Sequence, residues 1–187
     1  MNNLLLRRRA LMNVSKTNIL PVCYKSIIGT DKPKQLAISS FPFTVMIDTT
    51  IVSLVNGGIY SCIFGANYNL QLAYNSSGIP TIGNATASKQ FVYENHRYVF
   101  EGKFADVASD SYYKINGEDT GLHRKTNNTV SDFFLLSAAS SFALADALIH
   151  NLKIFDNDGV LIHDYLPCVR TSDSTEGLYD IVNNQFI

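Results

Sequence analysis

The residues of this chain that could do chemistry lie mainly near its carboxyl-terminal end. Asp156, Asn157 and Asp158 stand in succession before a glycine and offer the clustered oxygen ligands that calcium prefers. The same sequence is what a bare hairpin turn requires. His150 and His163 lie on either side of this segment, but two histidines without a carboxylate on the same face are too few for a zinc site. The sequence therefore leaves two interpretations, a weak calcium site or a turn, and predicts no other cofactor.

Catalysis by paired acids needs two carboxyl groups close together, one to give a proton and one to stay ionised. Glu94 and Glu101 are seven residues apart, which puts them on opposite faces of a continuous strand. Glu118 and Asp119 follow a turn signal. The sequence contains no phosphate-cradling glycine loop and no dinucleotide-binding fingerprint. These features predict a protein that is not an enzyme.

Aromatic and amide side chains beside two predicted turns are suited to binding sugars. Tyr68 stands between Asn67 and Asn69, and Tyr74 precedes another asparagine. An exposed ring can pack against a sugar while the neighbouring amides form hydrogen bonds with it. We predict a glycan-binding site at these four residues. The alternative is that the tyrosines shield a sheet edge.

Residues 1–18 have the character of a docking arm. Three leucines are followed by three arginines, namely Leu4, Leu5, Leu6, Arg7, Arg8 and Arg9. We predict a short helix or extended peptide whose leucines insert into a partner and whose arginines meet carboxylates or phosphates. The alternative is a frayed terminus. Because a secretory signal has its basic residues before the apolar ones, this order predicts no export signal.

Composition limits the kinds of partner. The chain has 187 residues, 46% of them hydrophobic and 17% charged, which is enough for one domain with a real core. The formal net charge of -1 predicts no nucleic-acid partner. No stretch approaches the roughly 20 apolar residues of a membrane-spanning helix, so the sequence predicts no membrane partner either.

The elements that position these residues are predicted to be short strands. Aromatic residues are plentiful and favour strands. Residues 43–52 alternate, with Phe43 on one face and Asp48 on the other, and Asn116-Gly117 predicts a tight hairpin turn. Ten to twelve such segments with regular turn signals predict an all-β fold, a two-sheet antiparallel β-sandwich over residues 19–187.

The clearest element is a hairpin over residues 148–168, in which two alternating apolar segments flank the Asp-Asn-Asp-Gly turn. Strict alternation in its first strand predicts one face made of Leu148, His150, Leu152 and Ile154. It predicts an opposite face made of Ile149, Asn151, Lys153 and Phe155.

Three carboxyl-terminal motifs resemble those of a known group of domains. They span residues 149–159, 161–168 and 177–186 and read IHNLKIFDNDG, LIHDYLPC and GLYDIVNNQF. They resemble the laminin-G-like, concanavalin-A-like jelly-roll domains found in phage structural proteins and gut-bacterial surface proteins. The resemblance implies a jelly-roll sandwich, a fold that hosts lectins, glycosidases and structural modules.

From these features we expect a non-enzymatic structural or adhesion module of a phage virion, in a tail, a fibre or a capsid-associated protein. It would dock through its amino-terminal arm on other virion proteins or on its own copies, and it would be assembled in the host cytoplasm. The alternative is a carbohydrate-binding module of a bacterial surface protein, with a cell-surface glycan as its partner.

Overall fold

The fold is given by a computed structural model, which describes most of the chain from residue 19 onward. The described residues are 19–21, 24–25, 34–38, 41–54, 60–67, 70–82, 85–125, 132–136 and 145–187. The predicted docking arm, with Leu4, Leu5, Leu6, Arg7, Arg8 and Arg9, lies outside them, and so do Tyr68 and Asn69.

The described residues form strands and one 3₁₀ turn, Ala108–Asp110. In chain order the strands are β1 (Ile19–Pro21), β2 (Tyr24–Lys25), β3 (Lys34–Ala37), β4 (Phe43–Ser53), β5 (Tyr60–Asn67), β6 (Leu70–Asn75), β7 (Pro80–Ile82), β8 (Ala85–Thr86), β9 (His96–Phe104), β10 (Tyr112–Ile115), β11 (Glu118–Asp119), β12 (Asp132–Leu135), β13 (Asp146–Asp156), β14 (Leu161–Arg170), β15 (Thr175–Asp180) and β16 (Gln185–Phe186). No helix in the described part of the chain has the length and apolar character needed to cross a membrane.

The strands build two antiparallel sheets. The ten-stranded sheet has the order β11-β10-β9-β4-β13-β14-β15-β16, with β1 paired to β14 and β2 paired to β13. The six-stranded sheet has the order β3-β12-β5-β6-β7-β8. The predicted all-β, two-sheet antiparallel sandwich of the jelly-roll type is therefore confirmed.

The core lies between the two sheets and is rich in aromatic rings. Phe43 and Phe104 of the ten-stranded sheet meet Phe64 and Phe133 of the six-stranded sheet, and all four side chains are buried. The Phe64 and Phe133 rings are stacked with their centroids 5.3 Å apart. Each such ring contributes about 1.5–3 kcal/mol by leaving water, so this cluster is a large part of what holds the sheets together.

The carboxyl-terminal hairpin is present, but both faces of its first strand differ from the prediction. β13 and β14 pair antiparallel around the turn, and Gly159 has the left-handed φ of 78° that closes it. A β-bulge between Ile149 and Asn151 inserts one extra residue against β4. Ile149 is therefore buried with Leu152, while Leu148 and His150 are only partly buried. The prediction of strict alternation was wrong here. The bulge adds one residue to the strand, so residues before and after it that strict alternation puts on the same face lie on opposite faces.

The final motif, GLYDIVNNQF, is explained by the hairpin of β15 and β16. A Cβ on Gly177 would lie 2.7 Å from Cζ of Phe186, so only glycine lets that ring pack there. The Tyr179 hydroxyl donates a hydrogen bond to the side-chain oxygen of Asn184. Asp180 accepts hydrogen bonds from backbone N–H groups of the turn. The motif that carries the resemblance is therefore architectural.

Candidate ligand-binding face

The outward surface of the ten-stranded sheet carries a continuous set of polar side chains. In β4, β9 and β13 the residues that face the core are buried and the residues between them are partly exposed. We call the outward surface of β10, β9, β4, β13 and β14 the polar face. Its residues are Met46, Asp48, Thr50, Arg97, Glu101, Tyr112, Lys114, His150, Asn151, Lys153 and Asp164.

A row of five side chains, four of them charged and the central one a methionine, crosses the polar face at right angles to the strands. Strand register places Lys114 beside Glu101, Glu101 beside Met46, Met46 beside Lys153 and Lys153 beside Asp164. Neighbouring strands lie about 4.8 Å apart, so the row extends over about 19 Å. We call these five residues the charged row. It places donors and acceptors in sequence on a rigid sheet rather than on loops.

Asp48 and Arg97 form a two-point ion pair next to the charged row. The Nε and Nη2 atoms of Arg97 each donate to one carboxylate oxygen of Asp48 at 2.7 Å. The Asp48 side chain is 20% exposed and that of Arg97 is 50% exposed. Two parallel hydrogen bonds fix the plane of the guanidinium, which leaves its remaining N–H groups in a defined direction.

Asp164, at the β14 end of the charged row, contacts two polar side chains. Nδ2 of Asn151 donates to Oδ1 of Asp164 at 2.7 Å, and Nζ of Lys153 lies 3.3 Å from Oδ2. Thr50 and His150 form a further hydrogen bond of 2.8 Å on the same surface. Each of these side chains therefore has a partner that limits its motion before any ligand arrives.

Tyr112 is an aromatic ring on this face. Its hydroxyl donates to Glu101 at 2.6 Å, and Nζ of Lys114 lies 4.2 Å from the ring centroid. Burial, reinforced by the hydrogen bond to Glu101, raises the pKa of Tyr112 to about 12. The hydroxyl therefore remains a proton donor at neutral pH, beside a ring that can pack against an apolar surface.

The structure describes only part of the predicted glycan site at Asn67, Tyr68, Asn69 and Tyr74. Tyr74 is fully buried and its ring stacks near Phe100, with centroids 6.4 Å apart, so it is not the exposed ring that the prediction requires. Alternation along β6 turns Tyr74 toward the core, although the next residue begins a turn. Asn67 ends β5, and Tyr68 and Asn69 lie outside the described residues.

The acidic hairpin turn is organised by one carboxylate. Oδ1 of Asp156 accepts the N–H of Asp158 at 3.0 Å and that of Val160 at 2.8 Å. No group of three or more His, Cys, Asp or Glu residues that could hold a metal occurs within the described ranges. The turn therefore explains the Asp156 carboxylate, while a calcium ion held by Asp156, Asn157 and Asp158 stays a prediction.

We expect Asp156→Ala to lower the free energy of unfolding by about 1 kcal/mol, because two backbone N–H groups lose their acceptor. Asp158→Ala is the matched control, with an expected change within about 0.5 kcal/mol. Urea denaturation measures both values.

The melting temperature of the unsubstituted chain is expected to be the same in calcium chloride and in EDTA. A rise with calcium that Asp158→Ala abolishes would contradict the turn interpretation.

Sequence reasoning placed Asp48 on an outward face but did not find the rest of the polar face. Alternation marks Arg97 and Glu101 as outward once a strand is assumed at residues 96–104. β9 pairs with β4, and β4 pairs with β13, although these strands are far apart in sequence. Alternation within one strand does not predict which strands pair. The charged row could therefore be found only from the register of the folded sheet.

Comparison with known proteins finds solved structures with a similar fold but no matching protein family. No protein-family model matches the chain, and no curated protein matches it. The structure is similar to Trypanosoma rangeli sialidase in complex with sialic acid, with a TM-score of 0.54 and 15% identity over 73% of this chain and 26% of that chain. The same sialidase in complex with 2,3-difluorosialic acid gives a TM-score of 0.53, also at 15% identity and with the same coverage. This chain thus corresponds to about a quarter of the sialidase, and the likeness shows a shared sheet-rich sandwich fold.

Proposed function

We propose that this chain is a non-catalytic glycan-binding module and that the polar face is its binding surface. The observation that carries the proposal is the charged row, in which Lys114 and Glu101 on one side and Lys153 and Asp164 on the other flank the apolar Met46. Sugar hydroxyl groups both donate and accept hydrogen bonds, so an extended glycan can form hydrogen bonds with both the positive and the negative side chains of the row. A site built on strands is held more precisely than one built on loops.

One further feature supports binding rather than hydrolysis. The carboxylates of Asp48, Glu101 and Asp164 each already hold a donor from the protein. Glycoside hydrolysis instead needs two carboxyl groups that exchange protons or bonds with the substrate. The likeness to a sialidase sandwich is compatible with a sugar ligand, but it contributes only the fold to this proposal.

The binding test uses Arg97→Ala on a glycan array, followed by calorimetry on the best ligand. We expect the unsubstituted chain to select one class of glycan and Arg97→Ala to weaken that binding at least tenfold, about 1.4 kcal/mol. The physical reason is that the face loses the guanidinium donors that the pair with Asp48 holds in a fixed direction.

Arg170→Ala is the matched control. Arg170 also forms a two-point pair, with Asp173, at 3.0 and 2.6 Å and with similar exposure. It lies six residues along β14 from Asp164, about 20 Å away. Equal loss of binding in both variants, or no selective binding by the unsubstituted chain, would contradict the proposal.

The rival proposal is the phage virion module that docks through residues 1–18. It rests on the leucines and arginines of that segment, on the sequence resemblance to jelly-roll domains of phage structural proteins, and on the lack of an export signal and of paired catalytic acids in the sequence. Size-exclusion chromatography of the full chain and of a chain lacking residues 1–18 separates the two proposals. Assembly that depends on those residues, together with no glycan binding, would favour the virion module.

A further inference from the structure

A small cleft opens beside Tyr112, where β9 and β10 meet the segment that follows β11. Its floor is apolar and its rim is polar. The residues that line it are Leu72, Ile82, Lys103, Phe104, Ser111, Tyr112, Leu122 and Arg124. Its interior has room for roughly one water-sized group. Tyr112 belongs both to this cleft and to the polar face, so the two are continuous.

Lys103 and Arg124, like Lys114 and Lys125, form no ion pair among the described residues, whereas four other cations do. Lys89, Arg97, Lys153 and Arg170 each form an ion pair with a carboxylate. Within the described residues, neither Lys103 nor Arg124 forms such a pair. Two positive side chains without a carboxylate partner thus line the same cleft.

Arg124 is held in place without using all of its donors. Its backbone N–H donates to the hydroxyl oxygen of Ser111 at 2.7 Å, and its Nη1 donates to the carbonyl oxygen of Ile82 at 3.1 Å. A guanidinium has five N–H groups, so several remain for a ligand. Because the backbone and the side chain are both anchored, little conformational entropy is lost when these groups bind.

The acidic residues of this region are not part of the cleft lining. Glu101 accepts the hydrogen bond from the Tyr112 hydroxyl. Asp119 lies 3.6 Å from the ring of His123. Asp106 and Asp110 are exposed residues of the connection between β9 and β10. The lining itself therefore contains positive charge and no carboxylate.

We propose that this cleft is an anion subsite that takes one oxygen atom of a carboxylate or sulfate group of an acidic glycan whose chain lies on the polar face. This inference rests on the proposed function and specifies its ligand class. Guanidinium and ammonium groups form their strongest hydrogen bonds with such anions. The apolar floor of Leu72, Phe104 and Leu122 keeps water away from one side of the anion, which strengthens the attraction.

The first test compares sugars that differ in charge. Calorimetry uses three hexasaccharides: neutral chitohexaose, uronate-bearing chondroitin, and chondroitin sulfate. We expect at least tenfold tighter binding of the acidic sugars than of the neutral one. Lys103→Gln and Arg124→Gln should each remove most of that preference and leave the neutral sugar unaffected. Lys89→Gln, which removes an exposed lysine with its own partner, should leave the preference intact.

The second test measures anion binding to the cleft in the absence of a glycan. Inorganic sulfate is titrated while the amide signals of Ser111 and Arg124 are followed by NMR. A saturable shift that Lys103→Gln abolishes supports the subsite, even if no glycan binds and the glycan proposal falls. Equal affinity for neutral and acidic hexasaccharides, with no saturable sulfate shift, overturns the subsite and leaves a neutral glycan-binding face standing.

Discussion

Replacing Asp180 with alanine is expected to lower the free energy of unfolding by about 3–5 kcal/mol, the cost of removing one partner from a buried charged network. Asp180 is 3% exposed. Its carboxylate lies 2.6 Å from Nδ1 of His163 and accepts Nδ2 of Asn183 at 2.6 Å. It also accepts the backbone N–H groups of Asp164 and Val182. Alanine would leave these donors without an acceptor at the point where β14, β15 and the final turn meet.

The same carboxylate predicts a dependence of stability on pH. Burial opposes ionisation of Asp180, but the hydrogen bonds from Asn183 and His163 outweigh it, so the pKa of Asp180 lies below its ordinary value. A group whose pKa is lower in the folded state contributes its full stability above the unfolded-state pKa, about 3.9 for aspartate. That contribution is lost as the pH falls through the folded-state pKa.

Urea denaturation between pH 7 and pH 2 measures both effects. Asp180→Asn should cost stability at pH 7 and show a smaller decline toward acid than the unsubstituted chain. Asp106→Asn, at an exposed aspartate, serves as the control and should follow the unsubstituted curve. A cost at Asp180 no greater than about 0.5 kcal/mol, the range of ordinary surface changes, would contradict the network's role.

Gly78→Ala is expected to cost about 3 kcal/mol or more. Gly78 has a φ of 69°, and a Cβ there would overlap the carbonyl oxygen of Val92. The carbonyl oxygen of Gly78 also accepts the N–H groups of Phe91 and Val92. Alanine would therefore add strain in φ and force apart the turn after β6 and the segment before β9.

The matched control is Gly121→Ala. Gly121 has a φ of 76°, but a Cβ at this position would have no neighbour within 4 Å among the described residues. It should therefore show only the left-handed backbone cost of about 1–2 kcal/mol. The difference between the two losses in unfolding free energy, measured by urea denaturation, gives the cost of the contact with Val92 apart from the cost of backbone strain. Equal losses in the two variants would contradict a role for that contact.

Local sequence patterns predicted the elements of this fold well. Asn116 and Gly117 have φ values of 52° and 82°, as a tight hairpin turn requires, and β4 follows the predicted alternation. Alternation was wrong at the bulge between Ile149 and Asn151, which depends on pairing with β4 and has no local signal. The expectation of an exposed Tyr74 came from its position beside a turn, which does not show that the other sheet covers the ring.

The candidate site was less predictable for the same reason. The charged row depends on the pairing of β9 with β4 and of β4 with β13, strands that are far apart in sequence. The proposed anion subsite joins Lys103 of β9 to Arg124, which lies in the segment after β11. Both depend on sheet register, which local periodicity does not determine.

The most direct test of the central claim is to map the bound glycan on the chain by amide and side-chain NMR. The ligand is the glycan selected on the array, added to the full chain. A polar-face site predicts that the largest shifts lie on β9, β4 and β13, at Arg97, Asp48 and Lys153. Shifts confined to the six-stranded sheet, or to β14 and β15 beyond Asp164, would contradict it.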